Sequence, residues 1–430
     1  LKNNGTVWAA GDNMHGELGD GTNIPSNSLV QVREADGIGI LTNIVEIAAG
    51  SMFSVALKSD GTVWTWGMNS LGQLGIGTTE FTVIPKQAVI SGVISISAGD
   101  KHVIALKSDG TVWSWGHNSY GQLGNGNTTK QFSPVQVVKD GIDYLTNITS
   151  ISAGANHNIA LKSDGTAVAW GNNGFGRLGI NSSIEFVTVP TTISGMNGRG
   201  HLTDITSISA GTYHSLALVG NGKIFAWGSN NYGRLGVDIY SGSYYPVFME
   251  CGLYDVKAIS AGYHNSLAIT GDGSVYSWGY NPYGQLGNGT IQNGLYPEKI
   301  SSLNNITSIS IGFYHSMAID GKGTVFAWGY NPYGQFGIGS KDNKSYIPIE
   351  AFTQGVVNDD YADTFETAFA VNQLDNIVGN INYDDDIDIV KFKANTSGEF
   401  CFEMSGNKSI ELFDNSLEKI QPILQRNYEI

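Results

Sequence analysis

Short apolar runs separated by turn residues recur in a fixed order along most of the chain. In one complete unit, Ile96-Ser97-Ala98-Gly99 leads into His102-Val103-Ile104-Ala105-Leu106, an apolar, β-branched run of strand length. Lys107-Ser108-Asp109-Gly110 follows. Asp-Gly between two such runs predicts a hairpin with a type I′ turn, which needs positive φ. Thr111-Val112-Trp113-Ser114-Trp115 is the return strand, followed by a Gly-x-Asn loop, a longer variable loop and Pro134-Val135-Gln136-Val137. Proline at the first position suits an edge strand, where its missing N–H harms no ladder. Four strands per unit predict the blade of a β-propeller.

The unit repeats. Its Trp-Gly strand ends at Gly11, Gly67, Gly116, Gly171, Gly228, Gly279 and Gly329, a period in the range of propellers and arrays. Asn13, Asn69, Asn118, Asn173, Asn230, Asn281 and Asn331 follow two places later, and a Gly-x-Leu-Gly closes each copy, with Phe336 replacing Leu in the last. The hairpin turn becomes Asn221-Gly222, Asp272-Gly273 and Lys322-Gly323, and the edge-strand proline recurs as Pro85, Pro190, Pro246, Pro297 and Pro348. There are seven Trp-Gly strands and seven edge strands but six Ala-Gly-x-x-His strands. Leu1 to Trp8 lines up with Leu57 to Trp64, so the chain opens inside a repeat. The expectation is an all-β, seven-bladed β-propeller whose first blade lacks one strand at a cut N-terminus.

Residues 1–353 resemble the regulator of chromosome condensation repeat family. The resemblance rests on Ala-Gly-x-x-His-Ser-x-Ala-Leu, Asp-Gly-x-Val-x-x-Trp-Gly-x-Asn and Gly-Gln-Leu-Gly together. The Gly-Gly dyads of Kelch propellers are absent, as is the Trp-Asp pair of the other common propeller repeat. Beyond Gln354 the pattern stops. Residues 354–358 read as a linker and 359–430 as a different domain, with short strands around Ile377–Ile381, Asp388–Lys393, Gly398–Glu403 and Ile410–Asp414. This segment predicts a small β-sandwich, incomplete at its C-terminus. It resembles the pre-peptidase C-terminal domain of secreted bacterial proteins, through its Gly-x-Ile, Asp-x-Asp, Phe-x-Phe, Ser-Gly-x-Phe and Leu-Phe-Asp order.

Composition narrows the function. A formal charge of −15 repels phosphate, so nucleic acid is not an expected partner. No apolar run is long enough to span a bilayer. Cys251 and Cys401 fall in separate predicted domains, so no disulfide is expected, and cysteine usage does not fix the compartment. Gly-x-Ser-x-Gly, His-Glu-x-x-His and Gly-x-x-x-x-Gly-Lys are all missing, which argues against an enzyme.

The repeat frame accounts for most chemistry-bearing side chains. His102, His157, His214 and His315 share one slot, which Phe53 and Asn265 hold in two other blades (His264 lies one place earlier). A ring of histidines could bind a metal, but a slot that accepts Phe reads as structural, each imidazole tying a strand to its neighbour's backbone. Trp66, Trp115, Trp170, Trp227, Trp278 and Trp328, with Ala10 in the first copy, read as packing between blades. The repeated Asn reads as a turn residue whose amide bonds local backbone.

The loop after that Asn varies where the frame does not. Tyr120, Phe175, Tyr232, Tyr283 and Tyr333 occupy it, and Tyr280 and Tyr330 precede the Asn in two copies. Repeat symmetry places them on one face as an aromatic arc. The arc is either an exposed protein or glycan surface or a set of rings packed onto the next blade. Asp359, Asp360, Asp384, Asp386 and Asp388 are not an EF-hand, because Ile389 and Asn395 replace the required Gly and Glu. The pre-peptidase resemblance implies calcium there for some members, and solvated charge is the alternative. No other cofactor is expected.

The leading expectation is a non-enzymatic binding protein, secreted or on a bacterial cell surface, that presents the aromatic loops to a protein or glycan. The family resemblance also implies two alternatives, a nucleotide-exchange factor for a small GTPase and a secreted inhibitor of a β-lactamase-type enzyme.

Overall fold

A computed structural model describes residues 1–237, 253–340 and 343–351, the backbone of strand Ser243–Phe248, and four two-residue strands beyond residue 369. The chain divides into two compact units, Leu1–Val357 and Asn358–Ile430. In the second, Ala370–Val371 pairs in parallel with Lys391–Phe392, and Leu412–Phe413 pairs antiparallel with Lys419–Ile420. The expected sandwich and its calcium candidates Asp359, Asp360, Asp384, Asp386 and Asp388 lie outside the described residues, as does Cys251.

The first unit is a β-propeller. Six sheets each hold four antiparallel strands in chain order, here called strands a to d. Blade 2 runs Ile44–Ala49, Phe53–Lys58, Val63–Gly67, Thr82–Gln87. Blade 3 runs Val93–Ala98, His102–Lys107, Val112–Gly116, Gln131–Gln136. Blades 4 to 7 begin at Ile148, Ile205, Val256 and Ile306. Blade 1 is a two-stranded sheet, Trp8–Gly11 with Ser26–Gln31, equivalent to strands c and d. Among the described residues it therefore holds two of the repeat's four strands, where the count of Ala-Gly-x-x-His segments predicted three. Each such segment folds as two strands, because the Gly-x-x between them turns the chain. Blade 1 touches blade 7 through the Ser28–Ile338 bridge and the Gly339 amide on the Asn27 carbonyl at 2.9 Å, and it shares a core with blade 2.

Two local predictions need correction. The hairpin between strands b and c is not type I′. Only its glycine has positive φ, at 80° for Gly61 and 77° for Gly110 and Gly165, and the turn closes from the Gly61 amide to the Lys58 carbonyl at 2.9 Å. Asp60 instead accepts the Thr62 amide and hydroxyl, which fixes the turn from the side. The edge-strand proline is not at the strand's start. Pro134 sits inside Gln131–Gln136, where the pairing slips between Gln131 and Val135, and a bulge spares the ladder the missing donor.

The core lies between blades. Val103, Ala105 and Trp115 of blade 3 pack against Val55, Leu57 and Val63 of blade 2, and the same arrangement recurs around the ring. Each strand-c tryptophan reaches back to the previous blade. Trp66, Trp115, Trp170, Trp227, Trp278 and Trp328 donate Nε1–H to the carbonyls of Glu17, Gln73, Gln122, Arg177, Arg234 and Gln285, at 2.7 to 3.0 Å. Those carbonyls belong to the variable residue of Gly-x-Leu-Gly. The closing glycine is needed because the indole lies on it: a Cβ on Gly75 would stand 2.7 Å from Trp115 Nε1. The predicted packing role of these tryptophans thus carries a hydrogen bond as well as buried area.

Candidate binding face

In a four-stranded meander the a–b and c–d turns share one rim. The strand-a backbones of successive blades meet around the axis, with the amides of Ala153, Ala210 and Ala261 each donating to a serine hydroxyl of the preceding blade at 2.9 Å. The a–b turns therefore edge the axial opening, and the c–d loops surround them.

The repeated asparagine builds the c–d loop. Asn118 is fully buried, accepts the Leu123 amide at 2.9 Å and donates Nδ2–H to the carbonyls of Asn127 and Thr129, both at 3.0 Å. Asn69 and Asn281 make the same three bonds. One side chain thus replaces a strand's worth of backbone partners and holds the aromatic residue at the loop's crest.

The variable residue of Gly-x-Leu-Gly then sets the crest's conformation. Where it is Gln, its Oε1 accepts the amide of the residue two places earlier: Leu71, Tyr120, Tyr283 and Tyr333, at 2.9 to 3.1 Å. Arg177 and Arg234 have no acceptor to offer. They donate Nε–H to the carbonyls of Gly174 and Asn231, at 2.8 and 2.9 Å. The crest rearranges into a short 3-10 turn, and Phe175 and Tyr232 take φ of 61° and 66°, a region bulky residues rarely occupy.

Of the predicted arc, Phe175, Tyr232 and Tyr333 are about half exposed (50, 47 and 50%), while Tyr120, Tyr280, Tyr283 and Tyr330 are partly buried. Most of the rings join one network. Tyr232 meets Tyr280 at 4.7 Å and Tyr283 meets Tyr330 at 4.7 Å, while Phe175 stands edge-on to Tyr213 at 6.2 Å. Tyr120 lies apart, edge-on to His117. Tyr280, Tyr283 and Tyr330 thus pack against neighbouring rings, while Phe175, Tyr232 and Tyr333 protrude.

The network also contains side chains that the sequence pattern did not single out. Tyr213, Tyr263, His264, Phe313 and Tyr314 come from the a–b turns. Tyr213 stacks on His264 at 5.4 Å, and Tyr263 contacts Phe313 at 4.8 Å. The signal was present: the residue before the histidine slot is Tyr213, His264 and Tyr314 in three consecutive blades, against Met52, Lys101 and Asn156 elsewhere. Burial, then the charge of Arg234, lowers His264 to about 4, so it is neutral at pH 7. The Tyr213 hydroxyl, followed by burial, raises Tyr263. Burial also raises Asp100, which edges the same opening.

The histidine slot ties blades together, though not through backbone as expected. His102, His157 and His214 are fully buried, and their Nε2 atoms bond Asn158 Oδ1, Ser215 Oγ and Ser266 Oγ of the next blade at 2.8 to 2.9 Å. Those side chains donate in turn to the carbonyls of Gln122, Arg177 and Arg234. The serine proton is thereby committed, so the imidazole must be the donor at Nε2. Burial holds all three pKa values low, His102 at about 4. Among the described residues no group of three metal-ligating side chains could hold an ion, and no helix is long and apolar enough to cross a membrane.

Blade architecture, inter-blade tryptophans and a rim of variable loops define a β-propeller of the kind that presents loops to partners. The sequence profile of the RCC1-like domain matches residues 6–359, and the chain belongs to that family. It is 32% identical over 283 residues to the ultraviolet-B receptor UVR8 of Arabidopsis thaliana, covering 66% of this chain and 50% of the receptor. It is 34% identical over 296 residues to the probable E3 ubiquitin-protein ligase HERC4 of Homo sapiens, covering 68% of this chain and 27% of HERC4. The chain thus spans half or less of these relatives. Among solved structures, yeast RCC1 (Prp20) bound to Kap60 superposes with a TM-score of 0.71 at 23% identity, covering 83% of this chain and 86% of that one. Human WBSCR16 superposes at 0.69 and 22% identity, covering 81% and 94%. At these identities the likeness shows the fold.

Proposed function

We propose that this chain is a non-enzymatic binding module whose a–b and c–d loop rim docks a protein partner. The observation that carries the proposal is the ring network spanning blades 4 to 7, in which Phe175 and Tyr232 stand half exposed beside packed tyrosines, with Tyr333 half exposed on the blade 7 crest. Tyr and Phe held by neighbours bury area on docking with little further loss of side-chain freedom. Family precedent supports a protein over a glycan: the yeast relative Prp20 is seen bound to Kap60 and has binding properties to Gsp1p and histones. Placement outside the cell or on a bacterial surface is part of the same proposal, and its support is the pre-peptidase resemblance of residues 359–430.

The test is affinity capture from cell-surface and cytosolic extracts with the full chain and with a Phe175→Ser, Tyr232→Ser, Tyr333→Ser variant. A protein retained by the first and lost by the second supports the reading, and the extract that supplies it decides the location. Equal recovery by both would sink it.

A further inference from the structure

Arg177 and Arg234 are 5 and 1% exposed, yet among the described residues neither is ion-paired. A buried charge is ordinarily matched by a counter-charge, since desolvation is otherwise uncompensated. Arg177 Nη1 donates to the Thr212 carbonyl at 2.7 Å, but Arg234 Nη1 is buried with no hydrogen-bond partner. What covers the guanidiniums is aromatic: both lie against the Tyr213 ring, at 5.2 and 5.4 Å, and Arg234 lies 5.9 Å from Tyr232. His264, the other nitrogen-bearing member of this group, also has a buried, unpartnered Nδ1. The nearby acid that acts on Arg177 is Asp100, which makes no ion-pair contact with it; burial raises its carboxyl, and the charges of Lys101 and Arg177 oppose that rise.

The repeat supplies its own control. The same position is Gln73, Gln122, Gln285 and Gln335 in blades 2, 3, 6 and 7, and the fold accepts it there. Arginine in blades 4 and 5 alone is therefore not a requirement of the propeller. It places two positive charges without a contact ion pair beneath the two crests with strained aromatics, in a chain whose formal charge is −15. Both guanidiniums stay charged at pH 7, since burial lowers each only to about 10.

Resting on the binding-face reading, we propose that blades 4 and 5 form its specificity centre and read a carboxylate side chain, Asp or Glu beside an apolar residue, in the partner protein. The carboxylate supplies the contact ion pair that Arg177 and Arg234 lack, and the apolar neighbour packs on Phe175 and Tyr232. A guanidinium with free N–H groups matches a carboxylate in geometry as well as charge.

The experiment is selection of random 12-residue peptides displayed on phage against the full chain, followed by affinity measurements on the best peptide. Three changes are compared: peptide Glu→Gln, Arg177→Gln with Arg234→Gln, and both together. The expected result is acidic–apolar peptides whose affinity falls about tenfold or more with either change, and hardly further when the changes are combined. The tryptophan-fluorescence unfolding midpoint shows whether the arginine variant folds, and the peptide change on the unaltered protein tests the proposal without it. Selected peptides that lack acids, or acids whose loss acts independently of the arginines, would overturn the carboxylate inference. If those neutral peptides are still lost with Tyr232→Ser, the binding face itself stands. Failure to select any peptide that Tyr232→Ser weakens would overturn both. Arginine-dependent binding of glucuronyl or sialyl oligosaccharides, with none of peptides, would overturn the assignment to a protein.

Discussion

Acid should unfold the propeller well above the pH at which exposed carboxylates protonate. His102, His157 and His214 are fully buried and neutral, each donating from Nε2 while Nδ1 has no partner. Folding depresses their pKa values, to about 4 for His102 and well below the ordinary value for the other two. The unfolded imidazoles, near 6.5, therefore bind protons that the folded ones refuse. Their contribution is intact above about pH 6.5 and is lost as pH falls toward the folded values. At pH 5 an unfolded imidazole is mostly protonated and a buried one is not, which costs about 2 kcal/mol per residue and about 6 kcal/mol for the three. Glu46 and Asp100, raised by burial, act in the opposite sense. Urea unfolding followed by tryptophan fluorescence suits the measurement, because all nine tryptophans lie between Trp8 and Trp328 and report on this unit. The midpoint should fall markedly between pH 8 and pH 5. His157→Asn, which copies Asn265 in the same slot, should remove about 2 kcal/mol of that difference. Equal midpoints at the two pH values, or an undiminished difference in the Asn variant, would refute the reasoning.

Two further predictions test the frame. Gly75→Ala forces a side chain into φ of 67° and brings Cβ to 2.7 Å from Trp115 Nε1, so it should cost about 3 kcal/mol in urea unfolding; Gly92→Ala, at φ of 70° with nothing within 4 Å, should cost only about 1 to 2 kcal/mol. Equal losses would mean that the indole contact is not what requires glycine. Asn118→Ala leaves the Asn127 and Thr129 carbonyls and the Leu123 amide without their partner and should cost about 2 to 4 kcal/mol, with faster proteolytic cleavage between residues 118 and 131. An unchanged cleavage rate would contradict the role given to that side chain.

What repeats in this chain was legible, and what departs from the repeat was not. The packing role of Trp115 and the turn role of Asn118 read correctly because the same interface is built at each blade junction. The b–c turn misled because Asp-Gly fits two turn geometries, and only the backbone shows that Asp60 keeps negative φ while it caps Thr62. Pro134 misled because a bulge depends on register with strand c, which one strand's sequence does not carry. The candidate face suffered most. Arg177 and Arg234 were not singled out, because they fill the unspecified position of Gly-x-Leu-Gly and nothing local reveals that they reverse the crest's hydrogen bonding. The a–b aromatics were hidden by the histidine beside them, which absorbed the reading of that turn.

The central claim is that the rim bearing Tyr232 is where a partner docks. The most direct measurement is photo-crosslinking from p-benzoylphenylalanine placed at position 232 of the full chain, with position 109 in the b–c turn as the opposite-rim control. A discrete adduct with an extract protein is predicted from position 232 and none from position 109, and the adduct should be lost when Phe175→Ser and Tyr333→Ser are added. An adduct from position 109 with none from position 232 would place the docking surface on the other rim and contradict the claim.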